Sequence, residues 1–484
     1  MPFSSYFTSM TFIHVLIIVA VSIRIIKVRL PVSTSLAWLT LLFFLPLAGA
    51  LGYMIFGERR LGPKFSTRSR TIQKRYERWL TELPEEILSD SKRLGSQGQS
   101  ISRIAATTEH IPALYGNRLR LFEATEPILS SIINDIDQAR KFCHLEFYIW
   151  NKGGMANEVL EALLRAAGRG VSCRVMLDAV GSAPFFKSRL VERLKAGNVE
   201  VAAALPISWA SVLKVRPDLR LHRKIVIIDN AIGYTGSFNM VDPRFFRQDA
   251  GVGEWVDAMV RIEGPAVLAL NTLFRWDWEM ETGNDLDEED FSGLSLETIG
   301  PSGSDVQVIP SGPGRSNNSI YQIILMAIYS AQSEIVITTP YFVPDEAVIT
   351  ALLTAAERGI MVTIILPDRN DSRLVHYTSR SYFDDMLSAG IRVFVFKGGL
   401  LHTKSVVIDR QVVLFGSVNL DIRSFWLDFE VTLGIYDSNF AQRLLKLHEK
   451  YIQDAVSVDL NTWRNRPRLE PYLENMARLA SPLL

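Results

Sequence analysis

The sequence repeats itself at the scale of a domain. Residues 162–171 recur about 190 positions later as residues 351–360, with seven of ten positions identical. Each copy has the pattern of an amphipathic helix that ends at a glycine, and a short β-rich run follows it at residues 173–177 or 362–366. A period of this length is that of a whole domain and not of a solenoid repeat. The chain is therefore predicted to contain two copies of one α/β domain.

Both copies also carry the same six-residue motif. Its members are His222, Lys224, Asp229, Gly236, Ser237 and Asn239 in the first copy and His402, Lys404, Asp409, Gly416, Ser417 and Asn419 in the second. Each motif begins at a short β-branched run typical of a buried strand, in which side chains two positions apart project to the same face. The histidine and the lysine are therefore predicted to act together. The aspartate is part of the catalytic motif, but it lies seven residues after the histidine, and this odd offset predicts a structural, supporting role.

Two copies of this motif brought together form a site suited to phosphodiester chemistry. The lysine ammonium and asparagine amide groups can hold the nonbridging oxygens as charge builds on phosphorus. One neutral imidazole can attack phosphorus, and the other, protonated, can give a proton to the departing alkoxide. Ser237 and Ser417 are expected to shape a turn and to help bind the phosphate. No metal or cofactor is expected, because the lysines supply positive charge and the two cysteines have no zinc-site spacing.

A carboxylate is expected to orient each imidazole through its second ring nitrogen. Glu430, eleven residues after Asn419, is the candidate in the second copy. In the first copy residues 247–253 have the character of an insertion. Alignment of the run that starts at Asp257 with the run that starts at Glu430 nominates Asp257.

The paired motifs resemble the HKD signature of the phospholipase D superfamily. The resemblance extends to bacterial cardiolipin synthases over nearly the whole chain, and it is carried by residues 221–224, 239–244, 339–344, 398–404 and 481–484. It implies a phosphatidyl transfer between two phosphatidylglycerol molecules that gives cardiolipin and glycerol through a phosphohistidine. It assigns attack to His222 and acid–base work to His402, with the reverse assignment left open. The implied partners are phosphatidylglycerol and cardiolipin in the membrane, and the oligomeric state stays open.

The first sixty residues predict a transmembrane hairpin, because residues 6–23 and 35–56 are uncharged, apolar and bounded by cations. Three lysines and arginines lie between these stretches, against seven in residues 57–76, which predicts that the rest of the chain is cytoplasmic at a bacterial inner membrane. The alternative is a cleaved secretory signal. It is disfavoured because the apolar run continues to Phe56.

The predicted fold class is therefore α/β. It comprises two duplicated phospholipase D-like domains, each a mixed sheet flanked by helices, which are related by a pseudo-twofold axis and follow the hairpin. The predicted layout is a hairpin at 1–60, a linker or stalk at 61–110, the first domain at 111–282, a linker at 283–314 and the second domain at 315–484. Residues 206–213 are left open between a segment that dips into the bilayer and a packed loop.

Rival functions remain at this point. Water or another alcohol competes for the same phosphohistidine, so a hydrolase or a different phosphatidyl transfer is the strongest enzymatic alternative. A metal-independent nuclease is disfavoured because Lys plus Arg and Asp plus Glu balance at 52 each, so no basic field attracts nucleic acid. A non-catalytic scaffold would be expected to have lost motif residues, and all are present. The other histidines considered are predicted to serve packing: His14, His144, His376 and His448.

Overall fold

The computed structural model describes residues 2–30, 32–62, 83–208, 214–284, 303–314 and 319–479, together with residues 65, 67–69, 72, 73, 76, 212 and 286. Most of the acidic part of the predicted linker lies outside the described residues. So does the C-terminal segment 481–484, which contributed to the resemblance. The chain divides into two compact units, residues 1–67 with 207–219 and residues 68–206 with 220–484.

The smaller unit begins with three helices. They are α1 (Pro2–Val28), α2 (Val32–Phe44) and α3 (Pro46–Phe56). The stretch predicted as one span at 35–56 is thus two helices, because Pro46 has no backbone N–H to continue α2 and is instead accommodated in the first turn of α3. Ile25, Leu42, Ala50 and Tyr53 form a small buried cluster among these helices. No helix in the described part of the chain is both long enough and apolar enough to cross a membrane.

The larger unit contains the duplicated halves. Its strands are β1 (Leu114–Phe122), β2 (Phe142–Phe147), β3 (Ser172–Asp178), β4 (Val199–Ala204), β5 (Arg220–Leu221), β6 (Lys224–Ile228), β7 (Ile232–Gly236), β8 (Trp255–Val256), β9 (Met259–Glu263), β10 (Ser304–Ser311), β11 (Glu334–Thr338), β12 (Phe342–Val343), β13 (Met361–Pro367), β14 (Arg392–Phe396), β15 (Leu400–Leu401), β16 (Ser405–Ile408), β17 (Val412–Gly416), β18 (Leu420–Asp421), β19 (Asp428–Tyr436) and β20 (Ala455–Ser457).

The helices of the larger unit flank these strands. They are α4 (Gly95–Glu109), α5 (Thr125–Gln138), α6 (Gly154–Gly168), α7 (Ala183–Phe186), α8 (Leu190–Ala196), α9 (Ala266–Thr282), α10 (Ser319–Ser330), α11 (Glu346–Glu357), α12 (Arg373–Arg380), α13 (Phe383–Ser388), α14 (Ile422–Trp426), α15 (Ser438–Gln453), α16 (Leu460–Arg464) and α17 (Leu469–Leu479). Short 3-10 turns occur at Glu85–Ile87, Pro243–Phe245 and Gln248–Ala250.

One mixed sheet runs through both halves. Its order is β20-β14-β13-β11-β16-β17-β19-β10-β1-β9-β7-β6-β2-β3-β4. In the first half β2, β3 and β4 are parallel and β6 and β7 are antiparallel neighbours; β11, β13, β14, β16 and β17 repeat this arrangement in the second half. The predicted α/β class and the predicted duplication are therefore confirmed.

The two halves join through β10, which pairs antiparallel with both β1 and β19. Residues 304–311 fall in the interval predicted to be a linker, yet they form a strand because Val306, Val308 and Ile309 are buried in a sheet that continues on both sides. Part of the interval predicted as a linker is accordingly a strand of the sheet. The predicted stalk at 61–110 likewise contains the helix α4, whose Ile101 and Ala105 are buried in the core of the second half.

The sheet determines where the motifs lie. β6 runs antiparallel to β2, and β16 runs antiparallel to β11. The start of each motif strand is therefore adjacent to the carboxyl end of the neighbouring strand, which is the edge where ligands commonly bind in α/β folds. Buried apolar side chains of α5 and α6 cover one face of the sheet in the first half, and those of α10 and α11 do so in the second.

Candidate active site

Each motif histidine is preceded by a two-residue strand that pairs with the other half. β5, just before His222, lies parallel to the start of β19, and the His222 N–H donates to the Phe429 carbonyl at 2.8 Å. β15, just before His402, lies parallel to β8, and the His402 N–H donates to the Val256 carbonyl at 2.8 Å. The next residue along each partner strand is a carboxylate, Glu430 or Asp257. The backbone thus places each histidine beside the carboxylate of the opposite half.

The two histidine–carboxylate contacts follow from this register. His222 Nδ1 lies 2.8 Å from both carboxylate oxygens of Glu430, and His402 Nδ1 lies 2.7 Å from Asp257 Oδ1. All four side chains are buried. With Nδ1 held by a carboxylate, Nε2 is the ring atom left for the substrate in each histidine.

The lysines lie in the same site. Lys224 Nζ donates to the His222 carbonyl at 2.5 Å, and Lys404 Nζ donates to the His402 carbonyl at 2.6 Å. Burial lowers the pKa of Lys224 to about 8 and the pKa of Lys404 to about 7, although Glu430 and Asp257 oppose the change. Each ammonium group therefore faces carboxylates of both halves. Near neutral pH the positive charge of the lysines is thus set against the ionised Asp257.

Burial and the two lysines lower the pKa of His222 well below its usual value. Burial also lowers the pKa of His402, to about 4, although Asp257 raises it. The two carboxylates differ in the direction in which their pKa is shifted. Burial raises the pKa of Glu430 to about 7, whereas contacts with His402, Lys404 and Ser237 outweigh burial and hold the pKa of Asp257 below its usual value. The His402–Asp257 pair is thus better suited to carry an imidazolium.

The motif serines lie beside the carboxylate strands. Ser237 Oγ donates to Asp257 Oδ1 at 2.5 Å and accepts from the Ala258 N–H at 3.1 Å. Ser417 Oγ donates to the Val431 carbonyl at 3.2 Å and accepts from the Val431 N–H at 3.0 Å. Their hydroxyls therefore hold the backbone next to Asp257 and Glu430.

The motif asparagines are each held by one amide atom. Asn239 Oδ1 accepts from the Ile149 N–H at 3.2 Å, and Asn419 Nδ2 donates to Ser424 Oγ at 3.2 Å. The other amide atom of each side chain is buried without a hydrogen-bond partner in the described structure. Buried polar atoms are usually hydrogen-bonded, so these two atoms are candidates to bind a ligand.

The motif aspartates lie away from the histidines, at the turns that follow β6 and β16. Asp229 accepts from the backbone N–H groups of residues 140, 141 and 142, each at 2.8 Å. Asp409 accepts in the same way from the N–H groups of residues 332, 333 and 334, at 2.7 to 2.8 Å. Both have positive φ, at 55° and 48°, a conformation that aspartate tolerates better than most residues. Each aspartate therefore ties its turn to the start of the neighbouring strand.

Several side chains at the site were not singled out from the sequence. The Tyr148 ring lies 5.0 Å from the His222 ring, and the Trp255 ring lies 4.3 Å from the His402 ring, between centroids. Arg223, between the first histidine and lysine, donates through Nε to the Glu430 carbonyl at 3.0 Å and forms a buried ion pair with Asp277. Their positions in the sequence could have indicated the two aromatic residues, because Tyr148 directly follows β2 and Trp255 lies two residues before Asp257.

The remaining histidines lie elsewhere. His144 is stacked between Phe142 and Phe274, and His448 lies 2.9 Å from Ser405 Oγ. His376 lines a small cavity beside α12. The described residues contain no group of three or more His, Cys, Asp and Glu side chains arranged to hold a metal ion. The expectation of chemistry without a metal stays a prediction.

Comparisons with known proteins agree with this arrangement. The family model "Cardiolipin synthase, PLD-like domain" matches residues 132–278 and 324–452. Cardiolipin synthase A of Edwardsiella ictaluri is 41% identical over 99% of this chain and 100% of its own length, and that of Proteus mirabilis is 43% identical over 98% and 97%. The crystal structure of phosphatidylserine synthase from Haemophilus influenzae has a similar fold, with a TM-score of 0.56 and 16% identity over 79% of this chain and all of that one.

Proposed function

The chain belongs to the cardiolipin synthase family of phospholipase D-type phosphatidyltransferases, and we propose that it joins two phosphatidylglycerol molecules into cardiolipin through a phosphohistidine on His222. The observation that carries the proposal is the crossed arrangement, in which each motif histidine is held by a carboxylate of the other half. In this arrangement both Nδ1 atoms contact carboxylates, so each imidazole has its Nε2 free for one shared substrate.

In the first step Nε2 of His222 attacks the phosphorus of one phosphatidylglycerol molecule. The bond from phosphorus to the headgroup oxygen breaks, and His402 gives its proton to that oxygen, so that glycerol leaves. His402 is the acid in this proposal because the ionised Asp257 stabilises its imidazolium. The anionic phosphodiester offsets the charge of the two lysines, so substrate binding favours protonation of His402.

In the second step the headgroup hydroxyl of another phosphatidylglycerol molecule attacks the phosphohistidine. His402 takes the proton of that hydroxyl, the phosphorus–nitrogen bond breaks and cardiolipin is released. Lys224, Lys404 and the free Nδ2 of Asn239 would hold the nonbridging oxygens in both steps. Asn419 would donate to them from Nδ2 after a turn of its amide, because its free Oδ1 only accepts hydrogen bonds. Ser237 and Ser417 would act on the phosphate indirectly, through the backbone that they hold next to the carboxylates.

The membrane setting is part of the same proposal. Phosphatidylglycerol and cardiolipin are bilayer lipids, and the apolar stretches at 6–23 and 35–56 would anchor the enzyme in a bacterial inner membrane. The excess of cations in residues 57–76 would keep the catalytic halves on the cytoplasmic side.

The test uses the purified full-length protein in liposomes of labelled phosphatidylglycerol with no added metal. Native protein, His222→Ala and His402→Ala are compared. His110→Asn serves as control, because His110 is exposed with a left-handed backbone conformation that asparagine tolerates. Cardiolipin and glycerol are expected from the native and control proteins and from neither motif variant. Phosphatidic acid alone would indicate a hydrolase, and no turnover of phosphatidylglycerol by the native protein would contradict the proposed function.

A further inference from the structure

The C-terminal helix α17 packs with its polar side inward. Among its residues Glu474 is the one that is buried, and its carboxylate pairs with Arg380 at 3.2 Å and with Arg466 at 2.7 Å. Arg478 lies over the Tyr382 ring, 4.5 Å from its centroid. The helix is therefore attached to α12 and its surroundings by charged and aromatic contacts. A helix on the surface of a soluble protein normally buries its apolar side.

The opposite side of α17 is apolar and open to solvent. Large apolar side chains recur there at helical spacing, with exposed fractions of 73% for Leu469, 65% for Tyr472, 48% for Leu473, 54% for Met476 and 82% for Leu479. Leu374 and Tyr377 of α12 are also exposed, and α12 packs beside α17. We call these seven side chains the α12–α17 face. Exposed apolar side chains gathered on two adjacent helices are typical of a contact surface.

The α12–α17 face is connected to the catalytic edge of the sheet. α12 follows the carboxyl end of β13, which is parallel to β11, and the end of β11 pairs with the residue after Lys404. Asp371, just before α12, accepts from the Tyr341 hydroxyl at 3.0 Å and pairs with Arg247 at 2.9 Å. Arg247 lies in the loop that leads to Trp255, whose ring contacts the His402 ring at 4.3 Å between centroids. The start of α12 is thus linked through Asp371 and Arg247 to the loop that precedes Trp255.

We propose that the α12–α17 face docks on an anionic phospholipid bilayer and so presents the catalytic edge to lipid headgroups. The proposal rests on the proposed function, because its partner is the bilayer that contains the substrate. Charge supports this partner: Arg373 and Arg468 are exposed at the start of α12 and just before α17, and neither has an ion-pair partner among the residues that the structure describes. Arginines and tyrosines beside an apolar stripe fit the headgroup boundary of a bilayer.

The first measurement asks where the face lies in a liposome. Leu473→Cys in the full-length chain would be labelled with an environment-sensitive fluorophore, because the native Cys143 and Cys173 are buried and do not compete. Glu158→Cys on α6, also exposed, is the matched control. Lipids brominated near the headgroup are expected to quench the label at position 473 and not the label at position 158.

The second measurement asks whether docking serves turnover. The variant Leu473→Glu with Met476→Glu is expected to make cardiolipin from liposomal phosphatidylglycerol roughly tenfold more slowly or worse, because apolar burial at the bilayer is lost. Its turnover of short-chain phosphatidylglycerol dissolved below its micelle concentration should equal that of the native protein. Arg373→Gln with Arg468→Gln should cause a smaller loss on liposomes alone.

The outcomes separate the two proposals. Native protein that makes cardiolipin while the label at position 473 is not quenched would overturn the docking proposal. A label shielded from aqueous iodide but untouched by brominated lipid would indicate a second copy, or the chain's own last residues, as the occupant, and would also overturn it. An equal loss on dissolved substrate would show damage to the site instead of lost docking. Quenching without any turnover by the native protein would keep the docking surface and refute the proposed function.

Discussion

At the scale of single residues, the two histidines have similar surroundings but different carboxylate partners. Asp257 stays ionised because His402, Lys404 and Ser237 outweigh its burial, whereas burial raises the pKa of Glu430 to about 7. An ionised partner favours the imidazolium form and therefore proton donation. A weaker partner leaves the imidazole neutral and able to attack. This difference supports His222 as nucleophile and His402 as acid.

The assignment predicts different behaviour with an activated leaving group. Phosphatidyl-p-nitrophenol needs no proton on its departing oxygen, so His402→Ala should still release a burst of about one p-nitrophenolate per enzyme molecule. His222→Ala should give no burst. Stopped-flow absorbance measures the burst, and acid-quenched protein can be examined for the phosphatidyl adduct. A burst from His222→Ala and none from His402→Ala would reverse the two roles.

The lysines predict an alkaline limit to catalysis. Burial lowers the pKa of Lys224 to about 8 and that of Lys404 to about 7, so both lose their positive charge as the pH rises through this range. The charge on the phosphodiester does not change there, and kcat/KM should therefore fall by about tenfold per pH unit above pH 8 for each lysine that must be charged. Whatever activity Lys404→Arg retains should persist to higher pH, since guanidinium stays charged. A kcat/KM that is constant to pH 10 would contradict this role.

At the scale of elements, the glycine that ends each motif hairpin is required by a close strand. A Cβ on Gly236 of β7 would lie 2.6 Å from the Ala258 carbonyl oxygen, and one on Gly416 of β17 would lie 2.2 Å from the Val431 carbonyl oxygen. These are backbone atoms of the strands that position the carboxylates. They cannot move aside without moving Asp257 or Glu430.

Gly236→Ala is therefore expected to displace Asp257 and lower kcat by on the order of a hundredfold, the scale of loss for a misplacement near 1 Å. Gly233→Ala in the same strand is the control, because its Cβ would meet side-chain atoms at 3.3 Å and 3.4 Å that can shift. Steady-state assays of the two variants, with circular dichroism to establish folding, test the difference. Equal losses of kcat in the two variants would show that the effect comes from general destabilisation of the strand.

At the scale of the whole molecule, the sequence predicted the content of the halves better than their connection. The repeat and the His-x-Lys spacing were enough to place β6 and β16 and to predict the duplicated α/β fold. They did not predict that β10 lies between the halves, because its surroundings are polar and glycine-rich and its burial depends on β1 and β19, which are distant in sequence. Sequence alignment nominated Glu430 and Asp257, but it did not predict that each carboxylate contacts the histidine of the opposite half. These contacts depend on β5 and β15, each of two residues, pairing with the opposite half.

Arg223 illustrates the same limit. It stands between two motif residues, yet its role depends on partners far away in the chain. It donates to the Glu430 carbonyl of the second half at 3.0 Å and to the Ser311 carbonyl of β10 at 3.4 Å, while Asp277 of the first half pairs with its guanidinium. A buried cation with partners on both sides links the halves directly behind His222.

Arg223→Met would leave the buried carboxylate of Asp277 without its cation, and we expect the free energy of unfolding to fall by about 3 to 5 kcal/mol. Arg223→Met with Asp277→Leu should recover most of that stability, because an apolar pair of similar size removes the unpaired charge. It should not recover activity, because the contact that holds the Glu430 backbone is still missing.

Arg165→Met is the control, since its 2.7 Å pair with Asp137 is exposed and should contribute at most about 1 kcal/mol. Denaturant unfolding and cardiolipin synthesis, measured on the same preparations, separate the two effects. Full activity in the double variant would show that Arg223 serves stability alone, and native stability in the single variant would show that the Asp277 pair does not stabilise the fold.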